Sequence, residues 1–230
     1  MRIADENLPG VWVFDLDDTL YSEIDYVWSA YRYIANELII RGYPENLFAT
    51  MQRIRLEGAE PLDLIREDYG VDLTIEELLN LYRFHQPTLS PRPGIVRLLN
   101  ELRGRGHPLA VVTDGRSRTQ RSKLAALGLQ DNFDCVIISS EIGAEKPSHE
   151  AFLLIEQQLP GATYTYVADN VNKDFIAPNQ RQWRTIQLVD DGRNIHAAPE
   201  CAPRDGQPQH KVDSISALTS LALTLNTPSL

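Results

Sequence analysis

The feature that most constrains the fold of this chain is the alternation of short apolar runs with helical stretches. From Gly94 onward, each helical stretch leads into a run typical of a buried strand, and an earlier run, 11–14, matches the later ones. The predicted strands are residues 11–14, 109–113, 133–139, 163–168 and 185–189. Strands that alternate with helices are typical of a parallel, doubly wound sheet, so we expect an α/β fold. After it we expect a loop over 190–210 and a short strand and helix over 212–225.

Residues 22–86 interrupt that alternation, because they show helical patterning and almost no strand signal. Four helices are predicted there, and Thr74 with Glu77 forms a capping-box pattern at the start of one of them. A parallel crossover needs only about a dozen residues, whereas this one has about ninety. We therefore expect a core made of 1–21 and 87–230, with 22–86 inserted as a helical cap that can close over one edge of the sheet.

Composition excludes several classes of partner. The net charge of −10 argues against nucleic acid or an anionic membrane surface as the main partner. Cys135 and Cys201 are too few for a disulfide framework, so a reducing, cytoplasmic location is expected. The first ten residues lack the features of a signal peptide, and no apolar run approaches the roughly 18 residues of a membrane span. The composition does not predict an oligomeric state.

An acidic cluster follows the first predicted strand directly. Asp15, Asp17 and Asp18 lie within four residues of one another. Clustered carboxylates at a sheet edge cost free energy unless a cation neutralises them, and the carboxyl ends of parallel strands are where ligands bind. The cluster therefore predicts a metal site and a site of chemistry. A solvated turn is the alternative for these residues taken alone.

Polar residues also follow the next three predicted strands. They are Thr113-Asp114-Gly115, Lys146 in the loop after the third strand, and Asp169 with Asp174. If the strands are as predicted, all of these groups meet the first acidic cluster at one edge of one sheet. Taken singly, Thr113 is also typical of a polar strand end, Lys146 of a solvated loop, and Asp169 of a turn.

The order of these groups resembles the four motifs of the haloacid dehalogenase (HAD) superfamily of hydrolases, in the type that carries a helical C1-type cap after the first motif. The resemblance spans nearly the whole chain, to about residue 189. It implies a Rossmann-like core and a phosphatase that works through an aspartyl-phosphate. The motifs as they stand here are Asp15-Leu16-Asp17-Asp18-Thr19, Thr113, Lys146, and Asp169 with Asp174.

The resemblance also implies catalytic roles. Asp15 matches the nucleophile, and Asp17 matches the general acid and base. Lys146 would offset the negative charge around Asp15. The Thr113 hydroxyl and the backbone N–H groups of Asp114 and Gly115 would hold the oxygens of the transferred phosphoryl group.

The implied cofactor is Mg²⁺, which prefers oxygen ligands. By resemblance its ligands are the Asp15 carboxylate, the Asp17 backbone carbonyl and Asp169. Asp174 is expected to support these ligands without binding the metal directly. Arg116 opens a predicted helix beside the phosphate site and is a candidate contact for an anionic substrate.

Several members of the superfamily can be separated by single residues. Dehalogenases and phosphonate-cleaving enzymes lack an acid at the position of Asp17, and the latter need a cap lysine, whereas residues 21–90 contain no lysine. A phosphatase that hydrolyses a small phosphomonoester (a sugar phosphate, a nucleotide or a phospho-acid) is therefore favoured. A phosphomutase or other phosphotransferase and a non-catalytic HAD-like binding module are the alternatives.

Other residues are assigned less specific roles. The segment 112–124 resembles acylneuraminate-phosphatases and nucleotidases. Asp18 is expected to be structural rather than catalytic. Four aromatic and basic residues in or near the predicted cap can be read as substrate contacts, although core packing or a solvated helix face is the favoured interpretation of each. These residues are Tyr21, Tyr26, Arg53 and Arg55.

Overall fold

A computed structural model describes residues 8–195 and 203–225 of the chain. The chain divides into two compact units. The sheet unit is the described part of Met1–Glu23 together with that of Ser90–Leu230, and the helical unit is Ile24–Leu89. That the inserted residues serve as a cap stays a prediction.

The sheet unit is built on a parallel sheet that has six strands within the described residues. The strands are β1 (Val11–Phe14), β2 (Leu109–Thr113), β3 (Cys135–Ile138), β4 (Tyr164–Ala168), β5 (Arg184–Leu188) and β6 (His210–Val212). Their order across the sheet is β3-β2-β1-β4-β5-β6, and every neighbouring pair is parallel. The predicted α/β doubly wound fold is confirmed.

This strand order places a ligand site between β1 and β4. The chain winds outward from β1 in one direction to β3, and in the other direction from β4 to β6. In sheets of this kind, ligands bind where the order reverses, at the carboxyl ends of the strands. Asp15 follows β1 and Asp169 follows β4, so both stand at the reversal point.

Helices of the sheet unit connect its strands. They are α5 (Ile95–Gly104), α6 (Ser117–Ala126), α7 (Ser139–Ile142), α8 (Glu150–Gln158), α9 (Ile176–Gln180) and α10 (Ile215–Leu225). All four residues of β1 are buried, as expected for a central parallel strand with both faces covered. One part of the core is aromatic, with Phe152 edge-on to both Tyr166 and Trp183 at ring-centre distances of 5.2 and 5.3 Å. Such pairs add about 0.5–1.5 kcal/mol each to the free energy of unfolding beyond the area they bury.

The helical unit contains four helices, as predicted. They are α1 (Glu23–Ile40, whose first residue belongs to the sheet unit), α2 (Leu47–Leu56), α3 (Pro61–Tyr69) and α4 (Ile75–Phe84). The capping box is confirmed, since Glu77 N–H donates to the Thr74 hydroxyl and Thr74 N–H donates to the Glu77 carboxylate at 2.7 Å. Gly70 ends α3 with a left-handed φ of 61°.

The polar candidates of the helical unit have partners inside that unit. Arg53 pairs with Glu57 at 3.0 Å and Arg55 pairs with Glu60 at 3.1 Å. The buried Tyr26 donates its hydroxyl to the Tyr82 carbonyl at 3.2 Å. These contacts agree with the expected packing and surface roles.

Some sequence-based boundaries were wrong. The third strand is shorter than predicted, because Ser139 begins the short helix α7 instead of ending the strand. The last strand begins at His210, two residues earlier than expected. The predicted loop over 190–210 contains a 3₁₀ turn, Arg204–Gly206.

The structure can be compared with the expectations about the cysteines and about a membrane span only within the described residues. Cys135 is buried and free, whereas Cys201 lies outside the described residues. In the part of the chain that the structure describes, no helix is both long and apolar enough to cross a membrane.

Candidate active site

The centre of the site is a buried ion pair between Asp15 and Lys146. Asp15 follows β1, where its N–H donates to the Val167 carbonyl of β4, and its side chain is 8% exposed. Lys146 Nζ lies 2.6 Å from Asp15 Oδ1 and 2.8 Å from Asp174 Oδ1, and it donates to the Tyr166 hydroxyl at 3.1 Å. Burial alone would lower the pKa of Lys146, but the two carboxylates outweigh it and raise that pKa well above its usual value.

Three carboxylates converge beside this lysine. One oxygen from each of Asp15, Asp169 and Asp174 lies within 4.8 Å of the others. Burial, followed by repulsion from Asp174 and Asp15, raises the pKa of Asp169 to about 9. Burial also raises the pKa of Asp15 to about 7, although Lys146 acts in the opposite direction. The cluster therefore holds more negative charge than Lys146 neutralises.

This donor set fits a hard divalent cation, because all three side chains offer oxygen and their repulsion is relieved by positive charge. Asp174 was expected to support the ligands from behind, yet its carboxylate lies in the cluster itself. It is fully buried and accepts the Asn170 N–H at 2.9 Å through Oδ2. Its Oδ1 contacts Lys146 but receives no well-directed hydrogen bond.

Asp17 lies in a different environment from Asp15, only two residues away. Residues 17–20 form a turn in which Leu20 N–H donates to the Leu16 carbonyl. Lys123 Nζ lies 2.7 Å from Asp17 Oδ1, and the Tyr21 hydroxyl donates to the same oxygen. Gln120 Nε2 donates to Oδ2 at 2.8 Å.

These contacts set the ionisation of Asp17. Burial raises the pKa of its carboxyl, but Lys123 and the hydrogen bonds from Lys123, Tyr21 and Gln120 outweigh burial, so the pKa falls below its usual value. The neighbouring Glu23 has the opposite outcome, since burial and the charge of Asp17 raise its pKa to about 8. Adjacent carboxyls with pKa values pushed apart are typical of acid–base sites.

The second motif lies at the end of β2 and is only partly arranged as expected. The buried Thr113 hydroxyl accepts from Gln120 Nε2 at 2.7 Å. The Asp114 carboxylate accepts the Lys146 N–H at 3.0 Å and the Lys173 ammonium at 2.7 Å. The Gly115 N–H donates to Ser139 Oγ at 2.9 Å, so it is not available in this arrangement as the predicted phosphoryl donor.

A cavity of about 200 Å³ in the sheet unit is lined by residues at the carboxyl ends of β1, β2 and β4. Arg116 is exposed and does not line it, so the predicted contact of Arg116 with substrate is not seen in this cavity. The volume is below the range of roughly 300–1,000 Å³ for drug-sized ligands and suits a compact anionic group. The lining residues are Asp15, Asp17, Asp18, Glu23, Thr113, Asp114, Asp169, Asn170, Lys173 and Asp174.

The loop after β5 reaches this site, although its sequence carries no functional pattern. Asn194 Nδ2 donates to Asp169 Oδ2 at 2.9 Å. Asp18 accepts the N–H groups of Glu23 and Ile195 at 2.8 and 3.1 Å, and Arg92 donates to the Asp18 carbonyl at 3.1 Å. Asp18 therefore ties together the turn and this loop, which agrees with the expected structural role.

The residues that the sequence reasoning missed are Gln120, Lys123, Lys173 and Asn194. A signal for the first two was present, because positions 120, 123, 124 and 127 share one face of a helix. Leu124 and Leu127 are apolar, so the two polar residues on that face are predicted to be buried. Both are buried, at 2% and 4% exposure.

Residues 12–187 match the family of haloacid dehalogenase-like hydrolases. The chain belongs to that family, as the order of its motifs predicted.

Its relatives include phosphatases. The chain is 28% identical over 190 residues to glyceraldehyde 3-phosphate phosphatase of Methanocaldococcus jannaschii, which covers 77% of this chain and 83% of that protein. Over a shorter stretch of 63 residues it is 41% identical to pyrimidine 5′-nucleotidase YjjG of Escherichia coli, covering 27% of this chain and 28% of that protein.

A solved structure shows the same fold. The HAD-hydrolase YfnB from Bacillus subtilis, bound to magnesium, superposes with a TM-score of 0.68 at 19% identity, covering 96% of this chain and all of that one.

Proposed function

We propose that this protein is a Mg²⁺-dependent phosphatase that hydrolyses a small phosphomonoester through a phosphorylated Asp15. The observation that carries the proposal is the convergence of Asp15, Asp169, Asp174 and Lys146 at the reversal point of the sheet, with Asp17 two residues from the nucleophile. The phosphatases and nucleotidase among its relatives support the same reaction class.

In the first step, an Asp15 carboxylate oxygen forms a bond to phosphorus while the bond from phosphorus to the leaving oxygen breaks. The leaving oxygen takes a proton from the Asp17 carboxyl and departs as an alcohol. Lys146 stays hydrogen-bonded to Asp15 Oδ1 while the other carboxylate oxygen attacks. The buried Thr113 hydroxyl stands at the end of β2 to hold a phosphoryl oxygen.

In the second step, water attacks the phosphorus of the aspartyl-phosphate. Asp17, now a carboxylate, accepts the proton that this water loses. The bond between phosphorus and the Asp15 oxygen breaks, which releases inorganic phosphate and restores the Asp15 carboxylate.

The residues that would hold Mg²⁺ are Asp15, Asp169 and the Asp17 backbone carbonyl, with Asp174 in the same cluster. The bound ion would offset the negative charge that the carboxylates and the phosphoryl group bring together. The structure adds that Asn194 orients Asp169 through a direct hydrogen bond.

The substrate class follows from the cavity and the relatives. A cavity of about 200 Å³ lined mainly by acids admits a phosphoryl group and its cation rather than a large ligand. We propose sugar phosphates, nucleoside monophosphates and small phospho-acids as the substrates to test. We also propose that Ile24–Leu89 is the cap and that the protein works in the cytoplasm.

A phosphate-release assay tests this proposal. Purified protein with Mg²⁺ is expected to release phosphate from p-nitrophenyl phosphate and from members of a panel of these monoesters, whereas chelator or Asp15→Asn abolishes release. Asp131→Asn, on the partly exposed 3₁₀ turn before β3, is the matched control and leaves the rate unchanged. Absence of release from every monoester would favour a binding module, and isomerisation without release would favour a mutase.

A further inference from the structure

The buried polar residues of α6 are not explained by the motifs, and they enclose the Asp17 carboxylate. We name Tyr21, Gln120 and Lys123 the Asp17 clamp. Gln120 and Lys123 are among the few buried polar side chains of the described residues. Burying an ammonium and an amide on a helix face costs free energy unless their partners compensate. Their partners here are functional groups of the site.

The contacts of the clamp fix both oxygens of Asp17. Lys123 and Tyr21 donate to Oδ1, while Gln120 donates to Oδ2. Glu23, the other acid near Lys123, lies farther from it, at 3.9 Å against 2.7 Å for Asp17. A carboxylate offers about four acceptor positions, so these three hydrogen bonds leave about one. Asp17 lines the cavity, where that position can meet water or a leaving oxygen.

Gln120 also donates a hydrogen bond to the Thr113 hydroxyl. Because a carboxylate only accepts, the amide nitrogen of Gln120 must face Asp17, and the same nitrogen donates to Thr113 Oγ1. A hydroxyl that accepts this bond keeps its own hydrogen for another acceptor. Gln120 thereby orients the phosphate-binding hydroxyl and the acid–base group together.

The local backbone leaves room for this amide. Gly115 has a φ of 132°, and a Cβ built there would lie 3.3 Å from the Gln120 side-chain carbonyl carbon. A residue with a side chain would be strained in this conformation and would crowd Gln120. The glycine after Asp114 therefore has a packing role beside Gln120.

We propose that Gln120 and Lys123 are positioning residues of the reaction, which hold the Asp17 carboxylate so that its remaining lone pair meets the attacking water. This proposal rests on the proposed function. It assigns the clamp to the second step, in which the water proton moves to Asp17 as the bond between phosphorus and Asp15 breaks. The first step on an aryl phosphate depends little on Asp17, because a nitrophenolate leaves without a proton.

Pre-steady-state kinetics with p-nitrophenyl phosphate and Mg²⁺ separate the two steps. In Lys123→Met and Gln120→Met, we expect the initial burst of p-nitrophenol to keep its amplitude while the steady-state rate falls by about ten- to a hundredfold, part of the 10²–10⁴ that acid–base catalysis supplies. Lys123→Arg should recover part of the rate. Arg121→Met removes a cation from the exposed face of the same helix and should behave as wild type.

A double-mutant cycle with Asp17→Asn completes the test. If the clamp acts through Asp17, Lys123→Met causes no further loss of steady-state rate in the Asp17→Asn background. The proposal is overturned if the rate losses of Lys123→Met and Asp17→Asn multiply in the double variant. It is also overturned if the burst shrinks in proportion to the steady-state rate. Should Lys123→Met not fold, as judged by thermal unfolding, Lys123→Gln carries the same cycle. If the wild type shows no turnover, or Asp15→Asn still gives a burst, the proposed function itself fails.

Discussion

The Arg53–Glu57 ion pair of the helical unit and the Lys146–Asp15 ion pair of the sheet unit differ in their exposure to water. Arg53 and Glu57 pair at 3.0 Å with side chains that are 63% and 59% exposed. Lys146 and Asp15 pair at 2.6 Å with side chains that are 1% and 8% exposed. The chemical groups are similar, but one pair lies on a helix surface and the other lies at the end of a central strand.

The exposed pair is expected from ordinary helix patterning, which places charged residues on the solvent face. The buried pair is not expected from that pattern, so it needs a functional explanation. An exposed pair contributes about 0.2–1 kcal/mol and costs little to form. A buried pair must overcome the loss of hydration of both ions, so it is weak evidence for a stabilising role. The sheet unit adds two further carboxylates to its pair, which increases the cost. The proposed binding of a cation and a phosphoryl group would explain that arrangement.

The largest effect is expected for Asp15→Asn, which removes the proposed nucleophile from the buried set. Phosphate release should fall by a factor on the order of 10⁴ or more, as for loss of other covalent nucleophiles. Steady-state phosphate release with Mg²⁺ measures it, with Arg53→Gln in the helical unit as the comparison. Activity of Asp15→Asn within tenfold of wild type would show that the buried pair is not the reacting centre.

Next in size is the loss of stability in Lys146→Met. Removing the cation leaves the Asp15 and Asp174 carboxylates without their shared partner, and breaking a buried pair costs about 3–5 kcal/mol. Urea unfolding of the metal-free protein measures the free energy of unfolding. Mg²⁺ should restore part of the loss, because it takes over the neutralisation. A loss below about 1 kcal/mol would show that this buried pair contributes no more to the free energy of unfolding than an exposed pair does.

An effect that is smaller for each pH unit is expected in the pH dependence of Mg²⁺ binding. Folding raises the pKa of Asp15 to about 7 and that of Asp169 to about 9, above the usual 3.8. The folded metal-free protein therefore holds protons that the unfolded chain has lost, so its stability decreases as pH rises from about 4 towards 9. Mg²⁺ displaces these protons and binds more tightly over the same interval.

Between pH 6 and 9, each displaced proton strengthens Mg²⁺ binding by up to about 1.4 kcal/mol per pH unit. The Mg²⁺-induced rise in unfolding temperature should accordingly be larger at pH 9 than at pH 6. In the protein without metal or substrate, Asp17, whose pKa is lowered, is ionised over this interval and adds no slope. Asp169→Asn is the control and should flatten the dependence. An unchanged rise across this interval would contradict these pKa directions.

The smallest effect is expected on the helical surface. Arg53→Ala removes one exposed pair between positions four apart on a helix, so the free energy of unfolding should change by no more than about 0.5 kcal/mol. Added salt should reduce even that difference. A loss above about 2 kcal/mol, measured by urea unfolding, would show that the exposed pair is not the simple helix contact that its exposure indicates.

Residues at the end of a strand, or directly after it, were the ones that the sequence located. Asp15, Asp169 and Thr113 could be placed because parallel strands bring their carboxyl ends to one edge, and the structure brings these residues to one cavity. Asn194 could not be placed, because its contact with Asp169 joins positions 25 apart through an irregular loop. The partner of the Gly115 N–H could not be predicted for the same reason, since Ser139, which accepts this hydrogen bond, lies 24 residues away.

By itself, the order of apolar runs determined the parallel sheet, and the polar residues after those runs determined which edge carries the chemistry. Both depend on periodicity and chain direction, which are local properties of the sequence. The tertiary structure decided which carboxyl keeps its proton. Asp15 and Asp17 are the same residue type two positions apart, yet burial beside Asp174 raises one pKa while Lys123, over a hundred residues away in the chain, lowers the other. Charge interactions act through space, so only the folded arrangement sets these two pKa values.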